Sequence, residues 1–190
     1  MIELGACYYD HFVKFLREPA DKIAYRLDDK GPAIQILRYQ NVFKGCDTLC
    51  SLGLGHHSDK VGVGGEVCMV VDSAWRKCGE ALANLLFHMI EEGRKVEPGV
   101  IVTGLSTILP DLAIAIDKEA LFVDYPTPFP NGFHEVCDKS LGVVGRVYWV
   151  FPITQTEAEY AGKFGVDSLE SALEAGQIDP FCVSRKSATL

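Results

Sequence analysis

The stretch "EVCMVVD", Glu66 to Asp72, is apolar at almost every position. A strand with one wet face alternates apolar and polar residues, so this run fits a strand buried on both faces. A helix pattern follows it. Cys78, Leu82, Leu85, Leu86, Met89 and Ile90 recur at three- and four-residue spacing, which aligns them as one apolar stripe. Asp72 or Ser73 is expected to cap this helix by accepting its free first-turn amides. Gly93 supplies a left-handed exit, and Arg94 and Lys95 suit the negative end of the helix dipole.

The same reading extends along the chain. Tyr8, Tyr9, Phe12, Val13 and Leu16 fall at helical spacing between Gly5 and Arg17, and Glu18-Pro19 ends that helix. "KIAYRL" and "PAIQILRYQ" read as short strands around the turn "DDKG", and "TLCSLGLG" as a third. "GVIVTG", "LAIAI", "ALFVDY" and "VGRVYWVFPI" are expected as further strands, with helices over Thr154 to Phe164 and Ser168 to Ala175. This order of elements implies an α/β (α+β) fold, a mixed β-sheet with packed helices. At 190 residues the chain suits one well-filled core, so a single domain is expected over residues 1–190.

The formal net charge is −8, the wrong sign for neutralising phosphates, which argues against nucleic acid as a direct ligand. A basic protein partner would be steered toward such a surface. The N-terminus has no basic segment followed by a long apolar core, and no apolar run approaches the ~20 residues of a membrane helix, so neither secretion nor membrane insertion is expected. Seven cysteines lie scattered through apolar elements. An odd number so distributed reads as reduced, buried thiols in a cytoplasmic protein.

"CSLGLGHHSDKVGVGGE", Cys50 to Glu66, holds the chemistry-bearing residue types. Cys46, Cys50, His56 and His57 superficially resemble a zinc set, but Cys50 falls on a strand while adjacent histidines diverge at a turn. The glycines do not form a phosphate loop either: Ser58 stands where G-x-G-x-x-G needs its third glycine, and no lysine-hydroxyl pair follows "GVGG". "GLS" at Gly104 to Ser106 is no nucleophile elbow, since position 108 is Ile108. No cofactor and no catalytic residues are expected. The segment instead reads as strand, polar loop around His56 to Lys60, glycine-permitted bend and buried strand, with His56, His57 and Asp59 on an exposed connection.

A second candidate contact segment is "DYPTPFPNGFHE", Asp124 to Glu135. Pro126, Pro128 and Pro130 keep it out of a sheet interior, and Gly132 allows a turn. Tyr125, Phe129, Phe133 and Glu135 then form an aromatic and acidic set suited to anchoring a partner. The competing reading folds these aromatics back over the edge of the core. Near the C-terminus, Ile178, Phe181 and Val183 are expected to pack on the domain, with Arg185 meeting an acidic group.

"TLCSLGLG", Glu66 opening a buried strand, "ALFVDYP" and the series "FPIT", Glu157, Glu159, "G-x-D-x-L" at Gly165 to Leu169 and the terminal "ID" with Arg185 and Ser187 together resemble the suppressor-of-fused-like domain of small bacterial proteins. The resemblance runs from Thr48 to Leu190. Lys186 stands where that family often has proline after the terminal arginine. The resemblance implies a mixed-sheet α/β domain with no known catalytic residues that holds another protein. In the animal hedgehog-pathway regulator a second lobe helps bind a transcription-factor peptide, and this chain resembles only the first lobe. Several bacterial members resemble immunity proteins, which implies a cognate toxin as partner, such as a basic nuclease-type domain. The alternatives are a peptide-binding regulatory module and a hydrolase with dispersed Cys and His residues.

Overall fold

The computed structural model describes residues 3–27, 31–62, 65–72, 77–110, 113 and 116–189. Its helices are α1 (Leu4–Leu16), α2 (Ser58–Val61), α3 (Cys78–Glu92), α4 (Leu105–Ile108), α5 (Gln155–Phe164) and α6 (Val166–Ala175). The strands are β1 (Asp21–Tyr25), β2 (Ile34–Gln40), β3 (Cys46–Leu52), β4 (Gly65–Asp72), β5 (Ile101–Thr103), β6 (Ala120–Asp124), β7 (Glu135–Asp138) and β8 (Gly142–Ile153).

All eight strands join one sheet in the order β1-β2-β3-β4-β8-β6-β5, with β7 also paired to β8. The sheet is mixed. β4 and β8 run parallel, Gly65 to Cys68 against Arg146 to Trp149, and the other pairs are antiparallel. As its composition implies, β4 is central and buried on both faces.

Because successive side chains point to opposite faces, each central strand feeds two cores. Val67, Met69 and Val71 join Ile36, Leu49, Leu121 and Val150 beneath the α3 stripe of Leu82, Leu85, Leu86, Met89 and Ile90. Cys68 and Val70 join Leu37, Cys50, Phe122, Trp149 and Phe151 beneath Tyr8, Phe12 and Leu16 of α1. Burying a side chain of this size stabilises the fold by about 1.5–3 kcal/mol. Two sandwiched cores therefore hold the sheet.

Three expectations are corrected. "LAIAI" does not form a strand where it is described: Ala113 and Ile116 are helical, while Leu112, Ile114 and Ala115 lie outside the described residues. The Ala113 amide donates to the Leu109 carbonyl at 3.0 Å, a helical bond, and the three-residue spacing puts Ala113 and Ile116 into the α3-side core. Asp72 does not cap α3, which begins only at Cys78 after Lys77; Ser73 lies outside the described residues, as do Asp28 to Lys30 of the expected turn and Gly64. Glu135, read as the last residue of the proline-rich segment, instead opens β7. Gly93 does close α3 in the left-handed region at φ 63°.

Candidate functional site

The glycine-rich stretch is a cradle for a carboxylate of the chain itself. Gly53 takes φ 113°, and a Cβ there would stand 2.7 Å from the Ala33 carbonyl oxygen, so only glycine fits. That turn points three successive amides inward. Gly53 and Gly55 donate to Glu66 Oε1 at 2.8 and 3.4 Å, Leu54 donates to Oε2 at 3.2 Å, and the Ser51 hydroxyl donates to Oε2 at 2.6 Å. Ser51 in turn accepts from the Val67 amide at 2.9 Å. Successive amides of this kind form an anion-binding nest, and here Glu66, 1% exposed, fills it. Burial pushes the Glu66 carboxyl up, opposed by its bonds to Ser51 and the three amides. The segment is scaffold. Glu66→Gln is expected to lower stability by about 1–3 kcal/mol, because an amide group cannot accept all four donors at once. Chemical denaturation of the two proteins checks this.

Beyond the nest, Leu54–His57 forms a short 3-10 turn leading into α2. His56 and Asp59 are exposed and His57 is half-buried. Burial holds the His57 imidazole below its ordinary range. The strand directions bring this connection to the same end of the sheet as the proline-rich segment. β3 finishes at the level where β4 begins, β8 runs parallel to β4, and β6 runs antiparallel to β8, so residues 53–62 and 125–134 leave one end together.

The proline-rich segment divides its residues. Tyr125 is 51% exposed, while Phe129 and Phe133 are 6% and 0% exposed. The expected surface presentation of Phe129 and Phe133 is therefore corrected: they stack with ring centroids 4.3 Å apart and close the α1-side core. His11 of α1 fastens this closure by donating from Nε2 to the Phe133 carbonyl at 2.9 Å. The physical reason is the size of the apolar payload, which outweighs the preference of a proline-rich loop for solvent. Glu135 is exposed and lies across from Arg146 in the β7–β8 pair.

Tyr125 also borders carboxylates that composition alone did not place. Burial raises the Asp124 carboxyl. Glu170 on α6 is raised as well, by partial burial first and then by Asp124, Asp167 and Glu174. Asp167, Glu170 and Glu174 sit at three- and four-residue spacing, which aligns them on one helix face. That spacing was available in the sequence; its approach to Asp124 was not.

The C-terminal residues are locked in place. Arg185 donates from its two terminal nitrogens to Glu157 Oε1 at 2.7 Å and Oε2 at 3.0 Å. The Ala188 and Thr154 amides donate to the same carboxylate at 2.8 and 2.9 Å, the latter within the capping box that starts α5. Lys118 reaches the Arg185 carbonyl at 2.6 Å. Val183 is buried, Phe181 meets Phe43 and Trp149, and Ile178 is half-buried.

Catalytic groups would need to converge in a cleft. Cys50 and Cys68 are fully buried, and burial pushes both thiols well up, away from the nucleophilic thiolate. Among the described residues no group of three His, Cys, Asp or Glu is placed to hold a metal ion. No helix among them is long and apolar enough to cross a membrane.

The family model described as suppressor of fused protein (SUFU) matches residues 30–186. The chain belongs to the suppressor of fused family. The Immunity protein YqcF of Bacillus subtilis (strain 168) is 26% identical over 172 residues, covering 84% of each protein. Among solved structures, a SUFU homologue from Neisseria gonorrhoeae FA 1090 superposes with a TM-score of 0.76 at 19% identity, over 99% of this chain and 98% of that one. A chain of the Sufu-Fu complex superposes with a TM-score of 0.68 at 13% identity, over 97% and 91%. At those identities the two structures establish the shared fold of this SUFU-family domain.

Proposed function

We propose that this SUFU-family domain is a non-catalytic binding protein that serves as a cytoplasmic immunity protein, neutralising a cognate bacterial toxin by direct contact. The observation that carries this reading is its similarity to Immunity protein YqcF over 84% of both chains. The contact surface is the end of the sheet bearing Tyr125, Glu135, His56, His57 and Asp59, flanked by Asp124 and the acidic face of α6. Phe129 and Phe133 support it from beneath.

The electrostatics favour a toxin that is basic at its contact surface, as a nuclease domain that grips phosphates would be. Glu170, raised by partial burial and by its acidic neighbours, is stabilised as a carboxylate when a Lys or Arg arrives, which adds association rate and specificity. Binding of this kind weakens with salt, because exposed charges are screened over about 8–10 Å at physiological ionic strength.

The test is co-expression with a toxin domain, sought among the genes that neighbour this chain's own. Growth protection and a co-purifying complex are expected. Glu170→Lys should weaken the complex at least tenfold and reduce its salt dependence while leaving the thermal melt unchanged. A toxin that binds without being inhibited, or protection unaffected by Tyr125→Ala, Glu170→Lys and Glu135→Lys combined, would sink this assignment.

A further inference from the structure

All seven cysteines are free thiols, and two of them face one another inside the sheet. Cys50 on β3 and Cys68 on β4 are register partners, both 0% exposed and both in the α1-side core. The hydrogen bonds around them fix what kind of pair they are, because the backbone groups of successive strand residues turn to alternate neighbours. The Cys46 carbonyl accepts from the Asn41 amide at 3.0 Å, on the β2 side, so the backbone of Thr48 and then of Cys50 also turns to β2. From the facing strand the Val67 amide reaches the Ser51 hydroxyl at 2.9 Å, on the β3 side, so the backbone of Cys68 turns to β8. Cys50 and Cys68 therefore exchange no backbone bond. Opposed residues of this class stand about 4.5 Å apart at Cα, with their side chains at their closest, inside the span of about 4.4–6.8 Å that a disulfide bridges. Among the described residues no other two cysteines are opposed in this way. Cys46 faces Asp72 and Cys137 faces Val143, Cys7 and Cys78 lie on helices on opposite sides of the sheet, and Cys182 lies in the tail.

We infer that Cys50 and Cys68 form a redox latch, a disulfide between β3 and β4 that staples the base of the connection carrying the Gly53 turn, His56, His57 and Asp59. A low-molecular-weight disulfide such as oxidised glutathione is the oxidant. One cysteine thiolate attacks it and releases the first small thiol, and the second cysteine thiolate then displaces the other small thiol from the mixed disulfide. Two protein thiols are oxidised, one small disulfide is reduced, and the two protons leave on the departing thiols. Burial decides when this happens. Desolvation pushes both thiols well up, and Tyr8 and Phe12 of α1 close the core over them, so the closed fold holds little thiolate and admits no attacking thiol. The same cover shields the disulfide from reductants once it has formed. The pair therefore keeps the redox state in which the chain last closed, reduced where small thiols are in excess and linked where small disulfides are.

The test is refolding of the full chain from urea in oxidised glutathione or in dithiothreitol. Cys7→Ser, Cys46→Ser, Cys137→Ser and Cys182→Ser together leave only Cys50, Cys68 and Cys78; the parent chain, refolded alongside and mapped by proteolysis, reads the same link where that variant fails to fold. Oxidised refolding should lower the mass by about 2 Da, the two hydrogens lost, and yield a peptide linked through Cys50 and Cys68. Closing a loop of this length in the unfolded chain should raise the melting temperature by about 5–10 °C. Dithiothreitol should open the link about tenfold or more slowly in the folded protein than in urea, since exchange waits on local opening. Cys68→Ala should abolish both the mass loss and the shift in melting. A refolded chain with no link, a link through Cys78, a linked form that melts below the reduced one, or a link that opens as fast folded as unfolded each overturns the inference. No toxin enters these measurements, so their failure leaves the immunity reading intact.

Discussion

Arg185→Ala is expected to remove about 3–5 kcal/mol of stability, the range for breaking a buried ion pair by deleting one partner. Glu157 is fully buried and Arg185 nearly so. Without the guanidinium the carboxylate would keep only the Ala188 and Thr154 amides, too little to offset desolvation of a full charge. Denaturant melts of Arg185→Ala and of the double variant Arg185→Met, Glu157→Leu make the measurement specific. The double variant should recover part of the loss, since it buries no orphan charge. The pair also governs acid stability. Burial alone would raise the Glu157 carboxyl, but Arg185 and the two amides outweigh it and hold the carboxyl below the ordinary range. Its contribution is thus complete above the unfolded value of about 4.3 and is lost as pH falls through the folded value. Glu66, raised in the fold, acts in the opposite sense, its contribution being full below the unfolded value and declining as pH rises. Melting Glu157→Gln between pH 3 and 6 should show a flatter acid limb than the parent. An equally steep limb would place the acid sensitivity elsewhere.

That ion pair marks how far the sequence could be read. A terminal arginine after an apolar "IDPFCV" run announces a packed tail in need of an acid, but Glu157 is one of several candidates, and only the fold of α5 against β8 chooses it. Glu66 presented the same limit more sharply. An acid at the head of a buried strand signals a special partner. Here that partner is three backbone amides, which leave no trace in side-chain chemistry and depend on the φ of Gly53. The long periodic segments behaved differently: α1, α3 and the apolar strands β4 and β8 carry enough repeats to fix their class and their buried face. "LAIAI" is short and apolar throughout, so its periodicity does not separate a strand from a buried helical turn, and packing against α3 decided it.

The proline-rich segment brings the largest divergence between neighbouring residues. Phe133→Ala is expected to cost about 3–5 kcal/mol, the range for emptying a fully buried phenylalanine site. Its ring is 0% exposed and touches His11, Phe12, Phe15 and Phe129, a cage that four aromatic neighbours cannot collapse to fill. Tyr125→Ala should leave the melt within about 0.5 kcal/mol of the parent, as expected for a surface residue away from such features. Its ring is half out in solvent and leans on His134, with centroids 4.9 Å apart. The two variants separate folding from recognition within nine residues of chain. Thermal unfolding and toxin protection measured side by side should show Phe133→Ala losing both together. Tyr125→Ala should lose protection while keeping the parent's melting curve. If Phe133→Ala melts like the parent, the closure of the α1-side core described above is wrong. If Tyr125→Ala protects fully even when toxin is in excess, partner contact lies away from the acidic end of the sheet.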